Sequence, residues 1–220
     1  LHVRSRRQRQ MCIRDRITMM ITSTKRHLTK GEGNMLLFWG YLCVGVGILA
    51  LLLGYLKFGV CVNIPLWLIQ ATAWLVPLIG IPYTIYVMRR KRVRRKVLTY
   101  SDRLTTSLWN YVLWLALAAF LTGLVFFTSS VKAWYIMELY AFFVIGMAVT
   151  FQGIIIRECS LVSGGAFSVI CGGFLTTGLI CDVDWINMVS LPLFIIDFIV
   201  MMIIPGHILN HKAAKEDERA

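Results

Sequence analysis

Ile195-Ile196-Asp197-Phe198-Ile199-Val200-Met201-Met202-Ile203-Ile204 decides how the whole chain is read. Its apolar residues stand side by side with no alternation, which excludes both a half-buried strand and the strand of a membrane barrel. The run extends over 185–207 with Asp197 as its one charged residue. A helix rises about 1.5 Å per residue, so about 20 such residues cross a hydrocarbon core about 30 Å thick. Working outward, comparable runs fall at 35–55, 66–88, 104–127, 134–156 and 161–181, interrupted only by Glu138. The composition agrees: 58% of the 220 residues are hydrophobic and 15% are charged. A soluble domain has about 45–50% and about 25%, so the apolar excess must face lipid. Backbone polar groups in lipid must be paired within the segment, and the expected fold is an all-α, polytopic membrane bundle of six transmembrane helices.

The charges give that bundle a direction. Lys25, Arg26 and Lys30 precede the first span; Arg89, Arg90, Lys91, Arg92, Arg94, Arg95, Lys96 and Arg103 separate the second from the third. Arg157 lies between the fourth and fifth, and Lys212, Lys215 and Arg219 follow the sixth. The opposite side receives Lys57 and Lys132. Positive residues stay inside, so the split places both termini in the cytoplasm. The organisation expected is an N-terminal cytoplasmic segment over 17–34, a transmembrane domain over 35–209 and a charged cytoplasmic tail over 210–220. Pro65 sits where a helix start tolerates proline, while Pro192 and Pro205 make the sixth span the one expected to bend.

Residues 1–16 differ from everything after them, with six arginines and Asp15. Back-translated in frame, Arg6-Arg7-Gln8-Arg9-Gln10-Met11-Cys12-Ile13-Arg14-Asp15-Arg16 resembles read-through of a sequencing adapter, and the segment is expected to be non-native. Without it the formal net charge falls from +12 to +7, and a native start could be Met19, Met20 or further upstream. The rival readings are a nucleic-acid arm and the charged start of a signal peptide, although no apolar stretch follows until Met35.

Asp197 is the acidic residue deepest in a span, about 15–18 Å from either end of its helix. A lone carboxylate there costs about 2.5–3.5 kcal/mol, so it should be paired, hydrogen-bonded or protonated and should face other helices. Thr150, Gln152, Ser168 and Thr176 are candidate partners. Its two readings are structural glue and a proton or cation site. Gln152 and Glu138 are the other intramembrane polar candidates, Glu138 being near enough to the span's end to reach the headgroups. In the fifth span Gly164, Ser168, Gly172 and Thr176 recur every four residues, a narrow face for close helix packing; Gly40, Gly47 and Gly54 recur every seven in the first.

The basic run Arg89, Arg90, Lys91, Arg92, Arg94, Arg95 and Lys96 reads first as a topology determinant, and second as a surface for anionic lipid headgroups or a protein partner. Nucleic acid is not expected, since the run is short and lacks stacking aromatics. Cys61 and Cys181 fall near the same outer face, which leaves a disulfide open. There is no CxxC, HExxH, G-x-S-x-G or phosphate loop, so neither a metal nor a cofactor nor an enzyme is expected.

Residues 24–34, Trp39-Gly40-Tyr41, Tyr100-Ser101-Asp102, Gln152-Gly153-Ile154-Ile155-Ile156 and Ile204-Pro205-Gly206-His207 together resemble an uncharacterised family of small six-span bacterial inner-membrane proteins. The resemblance runs from about residue 22 to the end and implies a multi-pass protein of the bacterial inner membrane. No activity comes with it, so no catalytic or ligand residue is implied. Family members carry further residues before the Thr24-Lys25-Arg26-His27 stretch, which implies truncation here. The function expected is a structural, sensory or partner-binding role without catalysis, in contact with the bilayer and with a membrane or cytoplasmic protein as possible partner. The alternative is a small secondary transporter or channel subunit with Asp197 as its coupling site.

Overall fold

A computed structural model describes residues 33–61, 63–94, 100–127, 134–183 and 185–218, and all secondary structure among them is helical. The first helix, α1, spans Asn34–Phe58. The second rod is α2 (Leu66–Ala71), a 3-10 turn (Thr72–Trp74) and α3 (Leu75–Arg94). Helix α4 is Tyr100–Phe127. The fourth rod is α5 (Trp134–Tyr140), a π turn (Ala141–Ile145) and α6 (Gly146–Ile156). Helix α7 is Cys159–Ile180. The sixth rod is α8 (Ile186–Phe198), a second π turn (Ile199–Ile203) and α9 (Ile204–Asp217).

Among the described residues four helices are long and apolar enough to cross a membrane: Asn34–Phe58, Tyr135–Ile156, Cys159–Ile180 and Met188–Lys215. Length and composition thus mark the chain as a helical membrane protein. Each apolar run of the sequence coincides with one rod to within a residue, except where the rods overrun the runs at charged ends. The second continues through the basic run to Arg94 and the sixth through Lys212 and Lys215 to Asp217, because Arg and Lys favour a helix once it has begun. The span expected over 66–88 is therefore not one even helix but two, joined by the 3-10 turn. In the sixth rod, where a bend is expected, the α ladder gives way to a π turn ending two residues before Pro205, which has no N–H to donate to that ladder.

Helix α7 occupies the middle, packed on α6 and its π turn on one side and on α8, its π turn and α9 on the other. Helix α1 covers the far side of α8 and α9 and carries α3, while α4 lies against α5 and α6. Lipid is as apolar as a leucine, so what joins such helices is close packing and hydrogen bonding. The small residues supply the closeness: a Cβ on Gly164 would stand 2.9 Å from the Val200 carbonyl oxygen, and one on Gly172 2.9 Å from the Phe142 Cβ. Gly40 and Gly47 receive Ile203 and Ile195 of the sixth rod, whereas Gly54 has nothing within 4 Å. Cys43, Val149, Leu161, Phe198, Met201 and Leu209 form the main buried cluster. Tyr86, Tyr111 and Trp114 on α3 and α4 are exposed, as side chains facing lipid would be.

The hairpin between α6 and α7 turns within two residues. Arg157 takes the left-handed conformation (φ 61°), and the Glu158 N–H donates to the Gly153 carbonyl at 2.9 Å, closing the helix end.

Residues 1–16, the N-terminal segment up to residue 32, Arg95, Lys96, Lys132 and Arg219 lie outside the described residues.

Candidate functional site

Asp197 stands on the last turn of α8, just before the π turn, and is fully buried (0% exposed). The Ser168 hydroxyl on α7, also 0% exposed, lies 2.8 Å from Asp197 Oδ2 and 3.0 Å from the Phe142 carbonyl oxygen. Phe142 belongs to the π turn of the fourth rod, where the regular i→i−4 ladder is interrupted. One hydroxyl on the central helix thus reaches a side chain of the sixth rod and a backbone carbonyl of the fourth. Asp197 Oδ1 has no hydrogen-bond partner. Phe142, which supplies the carbonyl, and Phe198 and Met201, which follow Asp197 in the chain, are all nearly or fully buried.

Of the four partners the sequence offers, the geometry selects Ser168. The Thr150 hydroxyl turns back onto the Gly146 carbonyl of its own helix at 2.9 Å, and that of Thr176 onto the Gly172 carbonyl at 2.7 Å. Gln152 Oε1 accepts from the Trp109 indole at 3.0 Å and ties α4 to α6, away from Asp197. Glu138 is buried (7% exposed), so its side chain does not reach out to the headgroups as its position near the span's end suggested; its Oε2 has no partner. The four-residue stripe is a packing surface whose members face different neighbours: Gly164 meets the sixth rod, Ser168 both neighbours, and Gly172 the fourth rod.

At the end of the bundle where α9 finishes, sequence reading missed a second polar group. The Lys212 ammonium donates to both carboxylate oxygens of Glu158 at 2.7 and 2.9 Å, and the Ser160 hydroxyl donates to Oε1 at 3.2 Å. The signal was available, since Glu158 is an acid in a turn on the positive side of the charge split. The Asn210 side chain accepts from the Gly33 N–H at 3.1 Å and donates to Asn34 Oδ1 at 2.7 Å, and Tyr41 Oη and His207 Nε2 are 2.8 Å apart. These contacts join the start of α1 to α9.

Arg89 and Arg90 are exposed at the end of α3. Cys61 and Cys181 are both free thiols, so the disulfide left open by their placement is not formed. Among the described residues no group of three or more His, Cys, Asp or Glu could hold a metal ion. No protein-family model matches the chain, and no curated protein and no solved structure matches it.

Proposed function

We propose that the chain is a six-span protein of the bacterial inner membrane, with both termini in the cytoplasm, that acts without catalysis as a structural, sensory or partner-binding component of the bilayer. The observation that carries this reading is the sealing of Asp197, 0% exposed with its Oδ2 engaged by Ser168. A coupling carboxyl needs a polar, water-filled approach, whereas a packing carboxyl is buried dry. Support for six spans comes from the two further helical rods, α2–α3 and α4, which coincide with apolar runs of the sequence. The fifteen-to-two distribution of positive residues supports the orientation. The resemblance to small inner-membrane proteins supports the bacterial setting. The basic run at the end of α3 suits the anionic headgroups of the cytoplasmic leaflet, at about 1 kcal/mol per charge near the surface.

A second reading, a small transporter or channel subunit coupled through Asp197, is favoured by Asp197 Oδ1 and Glu138 Oε2, two buried carboxyl oxygens without partners. One measurement separates the readings. Purified protein in liposomes loaded with a pH-sensitive dye should show no proton flux above that of protein-free vesicles. A flux present in the wild type and absent in Asp197→Asn overturns the structural role and establishes the second reading.

A further inference from the structure

The Ser168 hydroxyl has one hydrogen and two acceptors, the Phe142 carbonyl at 3.0 Å and Asp197 Oδ2 at 2.8 Å. Were Asp197 a carboxylate, that hydrogen would have to serve both. One oxygen pair at hydrogen-bond distance would then face each other with nothing between, and the negative charge would keep a single shared donor, because Oδ1 has none. Serine and aspartate are each 0% exposed, so water does not make up the deficit from outside.

A second hydrogen on Asp197 Oδ2 satisfies every contact. The carboxyl donates to Ser168 Oγ, and the serine's own hydrogen goes to the Phe142 carbonyl. Oδ1 then becomes the uncharged carbonyl oxygen of an acid, which tolerates a dry apolar setting far better than one end of a carboxylate. A divalent cation in place of the hydrogen would want about six oxygens around it, and the described residues hold no group of three or more metal-ligating side chains.

We propose that the Asp197–Ser168–Phe142 junction is a proton-binding site: Asp197 holds a proton on Oδ2 and donates it to Ser168, which relays its own to the Phe142 carbonyl, so a neutral chain of hydrogen bonds ties the sixth rod to the fifth and the fourth. The titratable side chains on the elements packed around it are Cys159 and Cys171 on α7, Tyr41, Cys43, Tyr55 and Lys57 on α1, Tyr135, Glu138 and Tyr140 on α5, and His207, His211, Lys212 and Lys215 on α9. Of those that can carry a positive charge, His207 meets the Tyr41 hydroxyl and His211 and Lys215 are exposed, so none is engaged with Asp197. The lysines of α1 and α9 that make contacts reach elsewhere, Lys57 to the Ile64 carbonyl and Lys212 to Glu158. The proton is thereby a part of the packing: removing it withdraws one of the links across α7.

The inference rests on the membrane reading and not on the absence of transport. Infrared spectroscopy tests it on the full chain in liposomes at neutral pH, with the aspartate carboxyls labelled with carbon-13 so that Glu138 does not contribute. The labelled wild type should show the C=O stretch of a protonated carboxyl. The band should vanish in Asp197→Asn and move to higher frequency in Ser168→Ala, which removes the acceptor. Should Asp197→Asn fail to fold, the Ser168→Ala shift carries the assignment. A wild type with no such band, or a band that Ser168→Ala leaves in place, overturns the proposal. The dye measurement is independent: flux in the vesicles would sink the sealed structural role while leaving the infrared band as it is.

Discussion

Asp197 and Ser168 make a contact that two substitutions can take apart. Asn keeps a donor and an acceptor at the position and cannot ionise, whereas Leu keeps neither. Asp197→Asn is expected to unfold in detergent at the wild-type midpoint. Asp197→Leu is expected to lose about 0.6–2 kcal/mol, the range measured for hydrogen bonds between membrane helices. Equal stability of the Leu variant would show that the carboxyl is merely accommodated. The sequence was enough to single out Asp197, because one charge in a long apolar run is conspicuous and its cost forces a partner. It could not choose between Ser168 and Thr150, Gln152 or Thr176, since that choice depends on how each helix is rotated about its axis, and these rods are apolar on nearly every side. The same lack of a polar face hid the inward turn of Glu138.

At the level of elements, the packing of α7 predicts opposite outcomes for two glycines about two turns apart. A Cβ on Gly165 would run into the Gly146 carbonyl and the Thr150 hydroxyl, so Gly165→Ala must push α6 away and should cost about 1–3 kcal/mol. Gly173 has nothing within 4 Å, and Gly173→Ala should be neutral or gain up to about 0.5–1 kcal/mol from helix propensity. Unfolding in detergent compares them directly, and equal losses would mean that α7 does not sit this close to α6. The ion pair at the α6–α7 turn gives a further test: with Lys212→Ala, amide exchange in α9 should quicken. The effect should be modest, about 0.2–1 kcal/mol, because the lysine is 51% exposed. The spans and the glycine stripe were legible because both are patterns of residue type along one segment. The π turns were not. Nothing in Ala141-Phe142-Phe143-Val144-Ile145 disfavours an ordinary helix, and the widening shows only where the carbonyl finds the Ser168 hydroxyl.

For the whole molecule, the proposed topology predicts the pattern of reporter fusions. A phosphatase that works only outside the cytoplasm should be inactive when fused at Lys91 or Lys212 and active at Lys132. Activity at either of the first two positions, or silence at the third, would reverse the orientation or remove a span.

Beyond the second rod, the contacts of α1 lie at the opposite end of the chain. Gly40 and Gly47 receive side chains of the sixth rod, and Gly33 and Asn34 are bonded to Asn210. During synthesis, at about 5–20 residues per second, the first helix enters the bilayer roughly ten to thirty seconds before its mate leaves the ribosome. For that interval its glycine-lined side is open to whatever helix drifts past, an insertion chaperone or another nascent protein included. A messenger cut short after α7 would leave that side open for good, and the product should be a substrate for membrane quality-control proteases although five of the six described rods had been made.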